Sequence, residues 1–159
     1  MKMETKLAIE KYADTVRRIC FVYLKNYHDA EDVFQNVFLK HALHDAGFES
    51  EEHEKAWIIR VAINACKDAI KSLFRKRVIS IDELIAEPSY TMPDGREVLE
   101  AVLQMSEKYR IVIYLFYYEG YSALEISAML RKNENTVYTW LSRARKQLKE
   151  KIGGESFEG

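Results

Sequence analysis

Both prolines of this 159-residue chain, Pro88 and Pro93, lie within one short stretch, SIDELIAEPSYTMPDG. The stretch also holds Gly95 and several polar residues that favour turns and loops. Outside it, strand patterns are weak and apolar residues recur at steps of three and four, the period of an α-helix. The sequence therefore predicts an all-α fold of two small helical domains joined by a flexible linker. We place the domains at 1–79 and 96–152, the linker at 80–95 and a disordered tail at 153–159.

The N-terminal domain is predicted to hold three helices. The first spans 5–26 and places on one side Ile9, Tyr12, Val16, Ile19 and Tyr23. The second, DAEDVFQNVFLKHALH, turns inward Ala30, Val33, Phe34, Val37, Phe38 and Leu43, and it exposes Asp29, Glu31, Asp32, Gln35, Asn36 and Lys40. An acidic loop, FESEEHE, follows. The third helix, KAWIIRVAINACKDAIKSLFRKR, has near its apolar side Trp57, Val61, Ala65 and Ile70.

The C-terminal domain carries the signature of a helix-turn-helix. Ser122 and Glu125 have the spacing of a capping box, so a helix is expected to begin near Ala123. Asn133 is a good N-cap for a second helix, and a turn of three or four residues separates the two helices. Arg131 occupies about the place where such turns often have Gly. The longest apolar run of the domain, residues 111–118, predicts a buried helix and is too short to span a bilayer.

The second helix of this motif has two different faces. Its apolar stripe consists of Val137, Leu141, Ala144, Leu148 and Ile152, and the opposite polar face of Thr139, Ser142, Arg143, Lys146 and Lys149. In a helix-turn-helix the early exposed residues of the second helix meet bases in the major groove, which is where Thr136, Tyr138, Thr139, Ser142 and Arg143 fall. An ordinary helical hairpin with a solvated cationic face would give a similar pattern.

Charge is segregated along the chain although the net charge is only −1. Residues 29–54 and 79–107 are strongly acidic, whereas residues 55–78 and 131–151 are strongly basic. The two basic segments suggest two contacts with a polyanion, and the acidic surface suggests a different, basic partner. The alternative is that acidic and basic segments pair with each other within the fold.

Several other classes of protein find little support in the sequence. Cys20 and Cys66 are far apart and outside any CxxC motif, so we expect neither a zinc ribbon nor a disulfide framework. No cofactor is indicated, and a helical enzyme or metal protein using His41, His44 and His53 is the least favoured reading. The N-terminus lacks the apolar core and cleavage site of a signal peptide, so we expect a cytoplasmic protein without membrane insertion.

Four motifs in order carry a resemblance to a known family: DAEDVFQNVFLK, WIIRVAIN, SALEISAML and NTVYTWLSRARKQLK. Together with the acidic linker they resemble bacterial RNA polymerase sigma factors of the extracytoplasmic-function class, over nearly the whole chain. The resemblance implies a region 2-like domain at 1–79 and a region 4-like domain at 96–152. It also implies a protein that is not an enzyme but binds core RNA polymerase through the β′ clamp helices and the β flap, recognises promoter DNA, and has an anti-sigma factor as a partner.

The resemblance assigns residues to three contacts. Core polymerase would be bound by Asp29, Glu31, Asp32, Gln35 and Asn36. The downstream, minus-ten promoter element would be bound by Trp57, Arg60, Asn64 and Lys67, together with the loop 48–54. The upstream, minus-thirty-five element would be bound by Ser122, Thr136, Tyr138, Thr139, Ser142, Arg143 and Lys146.

The chain departs from the family pattern at a few positions. Tyr138 and Trp140 stand where Lys or Arg is frequent, and Asn36 replaces a usual acidic residue. Ser106 or Glu107 occupies the place of a common Pro. A stand-alone helix-turn-helix regulator, whose N-terminal domain binds a ligand or dimerises, is the competing hypothesis.

Overall fold

The computed structural model describes residues 3–77 and 96–152, and the chain divides into two compact units, Met1–Pro88 and Ser89–Gly159. The first unit contains α1 (Met3–Leu24), α2 (Tyr27–Leu43) and α3 (Glu51–Arg77). The second contains α4 (Arg96–Leu103), α5 (Glu107–Ile113), a π-helical turn (Tyr114–Tyr118), α6 (Ala123–Leu130) and α7 (Glu134–Ile152). The described residues contain no strand, and the prediction of an all-α, two-domain fold is confirmed. The predicted linker at 80–95 and tail at 153–159 lie outside the described residues.

The core of the first unit lies between its three helices, each of which packs against the other two. Val16 and Ile19 of α1, Val37 of α2 and Ile59 and Ile63 of α3 are fully buried. The predicted inward residues of α1 are buried, except that Ile9 is only half-buried. This arrangement removes these apolar side chains from water, which is the main source of stability for such a core.

The buried face of α3 is not the predicted one. Trp57, Val61, Ala65 and Ile70 are all half-buried, and the buried residues are instead Ile58, Ile59, Ala62, Ile63 and Cys66. The segment WIIRVAINAC has apolar residues around most of its circumference, so the helical period alone does not select a face. Packing against α1 and α2 selects it.

The predicted inward face of α2 is confirmed at five of its six positions. Ala30, Val33, Phe34, Val37 and Phe38 are buried, but Leu43, at the last position of the helix, is 71% exposed. Asn26 begins the helix, since its Oδ1 accepts a hydrogen bond from the amide of Asp29 at 3.1 Å. The preceding residue, Lys25, has a φ of 55°, which makes the sharp turn from α1 possible.

The acidic segment predicted as a loop is partly helical. Ser50 caps α3, because its Oγ accepts from the amide of His53 at 3.0 Å and its carbonyl accepts from the amide of Glu54. The residues 51–54 therefore form the first turn of α3. Negative side chains at this position suit the positive end of the helix dipole.

In the second unit, α7 packs against α4, α5 and α6. Four residues of its predicted stripe are buried, namely Val137, Leu141, Ala144 and Leu148, and Ile152 is half-buried against the same core. The run 111–118 is only partly a buried helix, because Tyr117 and Tyr118 at its end are exposed. Within the described part of the chain, no helix combines the length and the apolar character needed to cross a membrane.

Candidate nucleic-acid interface

The turn between α6 and α7 is built around a left-handed residue. Arg131 has φ 55° and ψ 45°, and the amide of Lys132 donates to the carbonyl of Ser127 at 2.9 Å, which closes the end of α6. Asn133 then begins α7, since its Oδ1 accepts from the amide of Asn135 at 2.7 Å. Arg131 thus adopts the conformation for which Gly is usual, and the helix-turn-helix prediction is confirmed.

The start of α6 is held by the predicted capping box. Ser122 Oγ accepts from the amide of Glu125 at 3.1 Å, and the Glu125 carboxylate accepts from the amide of Ser122 at 3.0 Å. Within α6, Ser127 is buried, whereas Ala128 is exposed. Ser127 satisfies its hydroxyl by donating to the carbonyl of Leu124 at 2.6 Å.

The exposed face of α7 contains most of the residues expected to bind the upstream element. Thr139, Ser142, Arg143 and Lys146 are exposed, and Tyr138 is exposed over 54% of its surface. Thr136 is half-buried at the edge of the face. Sequence reasoning missed Asn135, which is exposed one turn before Thr139 on the same line of the helix.

A second polar stripe runs along α3. Arg60 and Asn64 are exposed and Lys67 is half-buried, and their steps of four and three residues place them on one side of the helix. Trp57 continues this stripe toward the start of α3. Its half-buried ring packs against the rings of His44 and Phe48, with centroid distances of 4.6 and 5.4 Å. Trp57 therefore lies between the core and the polar stripe.

A third exposed face lies on α2. Asp32, Gln35 and Asn36 are exposed, whereas Asp29 and Glu31 are half-buried. Glu31 is also engaged within the unit, because its Oε1 accepts from Arg17 Nε at 3.1 Å. The same face continues into Leu39, which is 58% exposed.

Along α2, steps of four, three and four residues separate Asp32, Asn36, Leu39 and Leu43. That spacing is the signal by which the sequence could have placed both leucines on the exposed face of α2.

The three histidines considered as metal ligands, His41, His44 and His53, have structural contacts. The buried His41 lies between Thr5 and Glu54, and His53 Nδ1 accepts from the amide of Glu49 at 3.0 Å. His44 stacks on Phe48, with ring centroids 4.8 Å apart. Among residues 3–77 and 96–152, no group of three His, Cys, Asp or Glu side chains is placed to hold a metal ion.

Two protein-family profiles together match most of the chain. Residues 8–76 match the profile of sigma-70 region 2, and residues 95–148 match that of sigma-70, region 4. The chain belongs to the extracytoplasmic-function class of RNA polymerase sigma factors. The sigma factor is 25% identical to the ECF RNA polymerase sigma factor SigW of Bacillus subtilis, over 91% of this chain and 86% of that protein. It is 28% identical to SigM of the same organism, over 88% of this chain and 90% of that protein.

Solved structures agree with this fold. The sigma factor RpoE of Bartonella quintana, in complex with the anti-sigma factor NepR, matches 97% of this sigma factor with a TM-score of 0.78 and 21% identity, over 99% of that chain. CnrH, in complex with the cytosolic domain of CnrY, matches 96% of it with a TM-score of 0.64 and 23% identity, over 89% of that chain.

Membership of this family decides between the hypotheses drawn from the sequence. The function of the sigma factor is to direct transcription initiation, and a stand-alone helix-turn-helix regulator is not favoured. Sigma factors are, in general, DNA-binding regulators rather than enzymes.

Proposed function

We propose that this sigma factor uses three exposed faces, one each on α2, α3 and α7, for three contacts in transcription initiation. The observation that carries the proposal is the exposed polar face of α7 within a capped helix-turn-helix. The domains at 1–79 and 96–152 each bind one promoter element, and residues 80–95 link them.

The face of α2 binds core polymerase. Asp32, Gln35 and Asn36 are exposed and suit a basic partner, with Asp29 and Glu31 at the edge of the contact. The β′ clamp helices are the proposed partner of this face, and the β flap is the proposed partner of the C-terminal domain. Because Glu31 already pairs with Arg17, substitution of Asp32 or Gln35 reports more directly on the contact than substitution of Glu31.

The stripe on α3 binds the downstream promoter element. Arg60 and Lys67 supply positive charge for the phosphate backbone, and Asn64 can bond to a base edge. The half-buried ring of Trp57 offers part of its face to an unpaired base. These four residues therefore stabilise the melted strand while the polymerase carries out the chemistry.

The face of α7 binds the upstream element in the major groove. Arg143 has the donors for a bidentate contact with guanine, and Lys146, further along the helix, is suited to a phosphate. Ser122 and Thr136 lie at the edges of this contact. Because the linker connects the two domains, binding of one domain to its DNA site raises the effective concentration of the other domain at its own site.

The partners and the location of the sigma factor follow from this mechanism. RpoE was solved in complex with the anti-sigma factor NepR, and CnrH in complex with the cytosolic domain of CnrY. We place an anti-sigma factor among the partners of this chain as well, covering the faces that bind polymerase or DNA. The protein acts in the cytoplasm, where polymerase and promoters are found, and it performs no catalysis itself.

The first test measures binding of the purified full chain to core RNA polymerase. Asp32→Ala and Gln35→Ala should each weaken binding about tenfold, equivalent to about 1.4 kcal/mol. Asp14→Ala is the matched control, because it removes the same charge from an exposed position on α1 and should leave binding unchanged. If the protein binds DNA but not polymerase, and its footprint shows two half-sites about one helical turn apart, the protein is a stand-alone regulator instead.

A further inference from the structure

Thr139 lies near the centre of the exposed face of α7, and its hydroxyl is bonded to its own helix. Oγ1 donates to the backbone carbonyl of Asn135 at 2.9 Å, a bond to the preceding turn that threonine commonly makes in helices. Since the hydroxyl proton is used in this bond, Oγ1 can only accept a hydrogen bond from a base. The other group on Cβ, the Cγ2 methyl, is the group of this exposed side chain that is left for an apolar contact.

The neighbours of Thr139 favour an apolar contact at this position. Tyr138 exposes 54% of its surface, including part of a large aromatic ring. Ser142, which follows one turn later, is small and exposed. The nearest cation on this face is Arg143, four residues beyond Thr139. The region around Thr139 is therefore less charged and more apolar than the end of the helix.

Thymine is the only base that presents a methyl group in the major groove, and a threonine methyl is a suitable partner for it. We infer that Thr139 recognises the C5 methyl of a thymine in the upstream promoter element. This inference rests on the proposed function of α7, and adds to it the base and the chemical group that are recognised.

The helix geometry also gives the position of the thymine. Thr139 and Arg143 are about 6 Å apart along the helix axis, because each residue advances about 1.5 Å. Successive base pairs are about 3.4 Å apart along the duplex. For a helix that lies along the major groove, the thymine is within about two base pairs of the guanine that Arg143 binds.

The test uses the full chain assembled with core polymerase. Promoters are first selected from a library with a randomised upstream element, and each thymine of the selected element is then replaced by deoxyuridine, which lacks only the methyl. Open-complex formation is measured with wild type, with Thr139→Ser, which keeps the hydroxyl but lacks the methyl, and with Thr139→Val, which keeps a methyl but lacks the hydroxyl. Circular dichroism verifies that each variant is folded.

One deoxyuridine should weaken the wild-type complex about fourfold, the value expected for one buried methyl group. The same replacement should have no effect with Thr139→Ser, and its full effect with Thr139→Val. The inference is overturned if no deoxyuridine changes open-complex formation while the selected promoter is still preferred. It is also overturned if Thr139→Ser keeps the full sensitivity to deoxyuridine. If no promoter is preferred over a scrambled one, the proposed function itself fails, and the inference with it.

Discussion

The buried ring of His41 lies 2.9 Å from the carboxylate of Glu54, measured from Nε2 to Oε2, and so connects α2 to α3. Its other nitrogen, Nδ1, lies 3.1 Å from Oγ1 of Thr5 on α1. The imidazole therefore joins all three helices of the first unit. Both ring nitrogens therefore have a hydrogen-bond partner on a neighbouring helix.

We predict that His41→Ala destabilises the first unit by about 2–4 kcal/mol, because the substitution removes a buried ring and leaves polar groups of Thr5 and Glu54 without their partner. Unfolding in urea is followed by Trp57 fluorescence in a Trp140→Phe background, since Trp57 and Trp140 are the two tryptophans of the chain. His28→Ala, at an exposed position of α2, is the control and should change stability by less than about 0.5 kcal/mol. Equal effects of the two substitutions would show that the His41 contacts do not stabilise the unit.

An ion pair connects α1 to the first turn of α3. Lys11 Nζ lies 2.5 Å from Glu51 Oε1, and the hydrogen bond between them raises the pKa of Lys11 above its ordinary 10.5 and lowers the pKa of Glu51 below its ordinary 4.5. The stabilisation by this pair is therefore complete at pH values between the two ordinary pKa values, 4.5 and 10.5. It is lost as the pH falls through the lowered pKa of Glu51, and as the pH rises through the raised pKa of Lys11.

We predict that Glu51→Gln lowers the melting temperature slightly at pH 7, and that its difference from wild type closes at acidic pH and in 1 M NaCl, where exposed charges are screened. Glu52→Gln is the control, because it removes a charge from the same first turn of α3. It therefore changes the interaction with the helix dipole to the same extent as Glu51→Gln does. Thermal unfolding across pH measures both variants. A Glu51→Gln effect that persists in 1 M NaCl would mean that the pair does not act through its charges.

Two residues with positive φ in the second unit give opposite predictions. Arg131 has a φ of 55°, and Arg131→Gly should raise the free energy of unfolding of the unit by about 1 kcal/mol, because a side chain is disfavoured in the left-handed region. Gly120 has a φ of 79°, and Gly120→Ala should lower the free energy of unfolding by about 1 kcal/mol, although an added Cβ would meet no atom within 4 Å. Lys132→Gly, at the next position of the turn, is the control and should bring no gain. Trp140 fluorescence in urea, in a Trp57→Phe background, measures all three variants, and a destabilised Arg131→Gly would contradict the argument.

Much of the second unit could be predicted because its signals are local. The capping box needs only Ser122 and Glu125, three residues apart, and α7 has one continuous apolar stripe from Val137 to Leu148. Each of these features is specified within one or a few helical turns. The sequence pattern and the structure therefore agree on the start of α6 and on the faces of α7.

The first unit was harder to predict because its faces depend on packing between helices. α3 has apolar residues on several sides, so only contact with α1 and α2 determines that Ile58 and Ile59 are buried while Trp57 is half-buried. The start of α3 was missed because an acidic segment looks like a loop, although Ser50 followed by acidic residues is also typical of a helix start. The predicted linker, residues 80–95, lies outside the described residues.

Arg143 and Lys146 should have different effects on promoter binding, although both are exposed cations on the same face of α7. Arg143→Ala should reduce discrimination between the selected promoter and one with its guanine replaced, by about 1–3 kcal/mol, because a bidentate contact with that base is lost. Lys146→Ala should weaken binding to all sequences alike and reduce the slope of log affinity against log salt concentration by about one, because one phosphate contact is lost.

Holoenzyme binding to both promoters, measured over a series of salt concentrations, separates the two effects. Lys149→Ala, also exposed but one turn nearer the end of α7, is the control for loss of charge alone. If Arg143→Ala behaved like Lys149→Ala and left discrimination unchanged, Arg143 would contact only the backbone. The guanine, and the position of the thymine inferred from it, would then have to be read by another residue, and the exposed Asn135 would be the next residue to substitute.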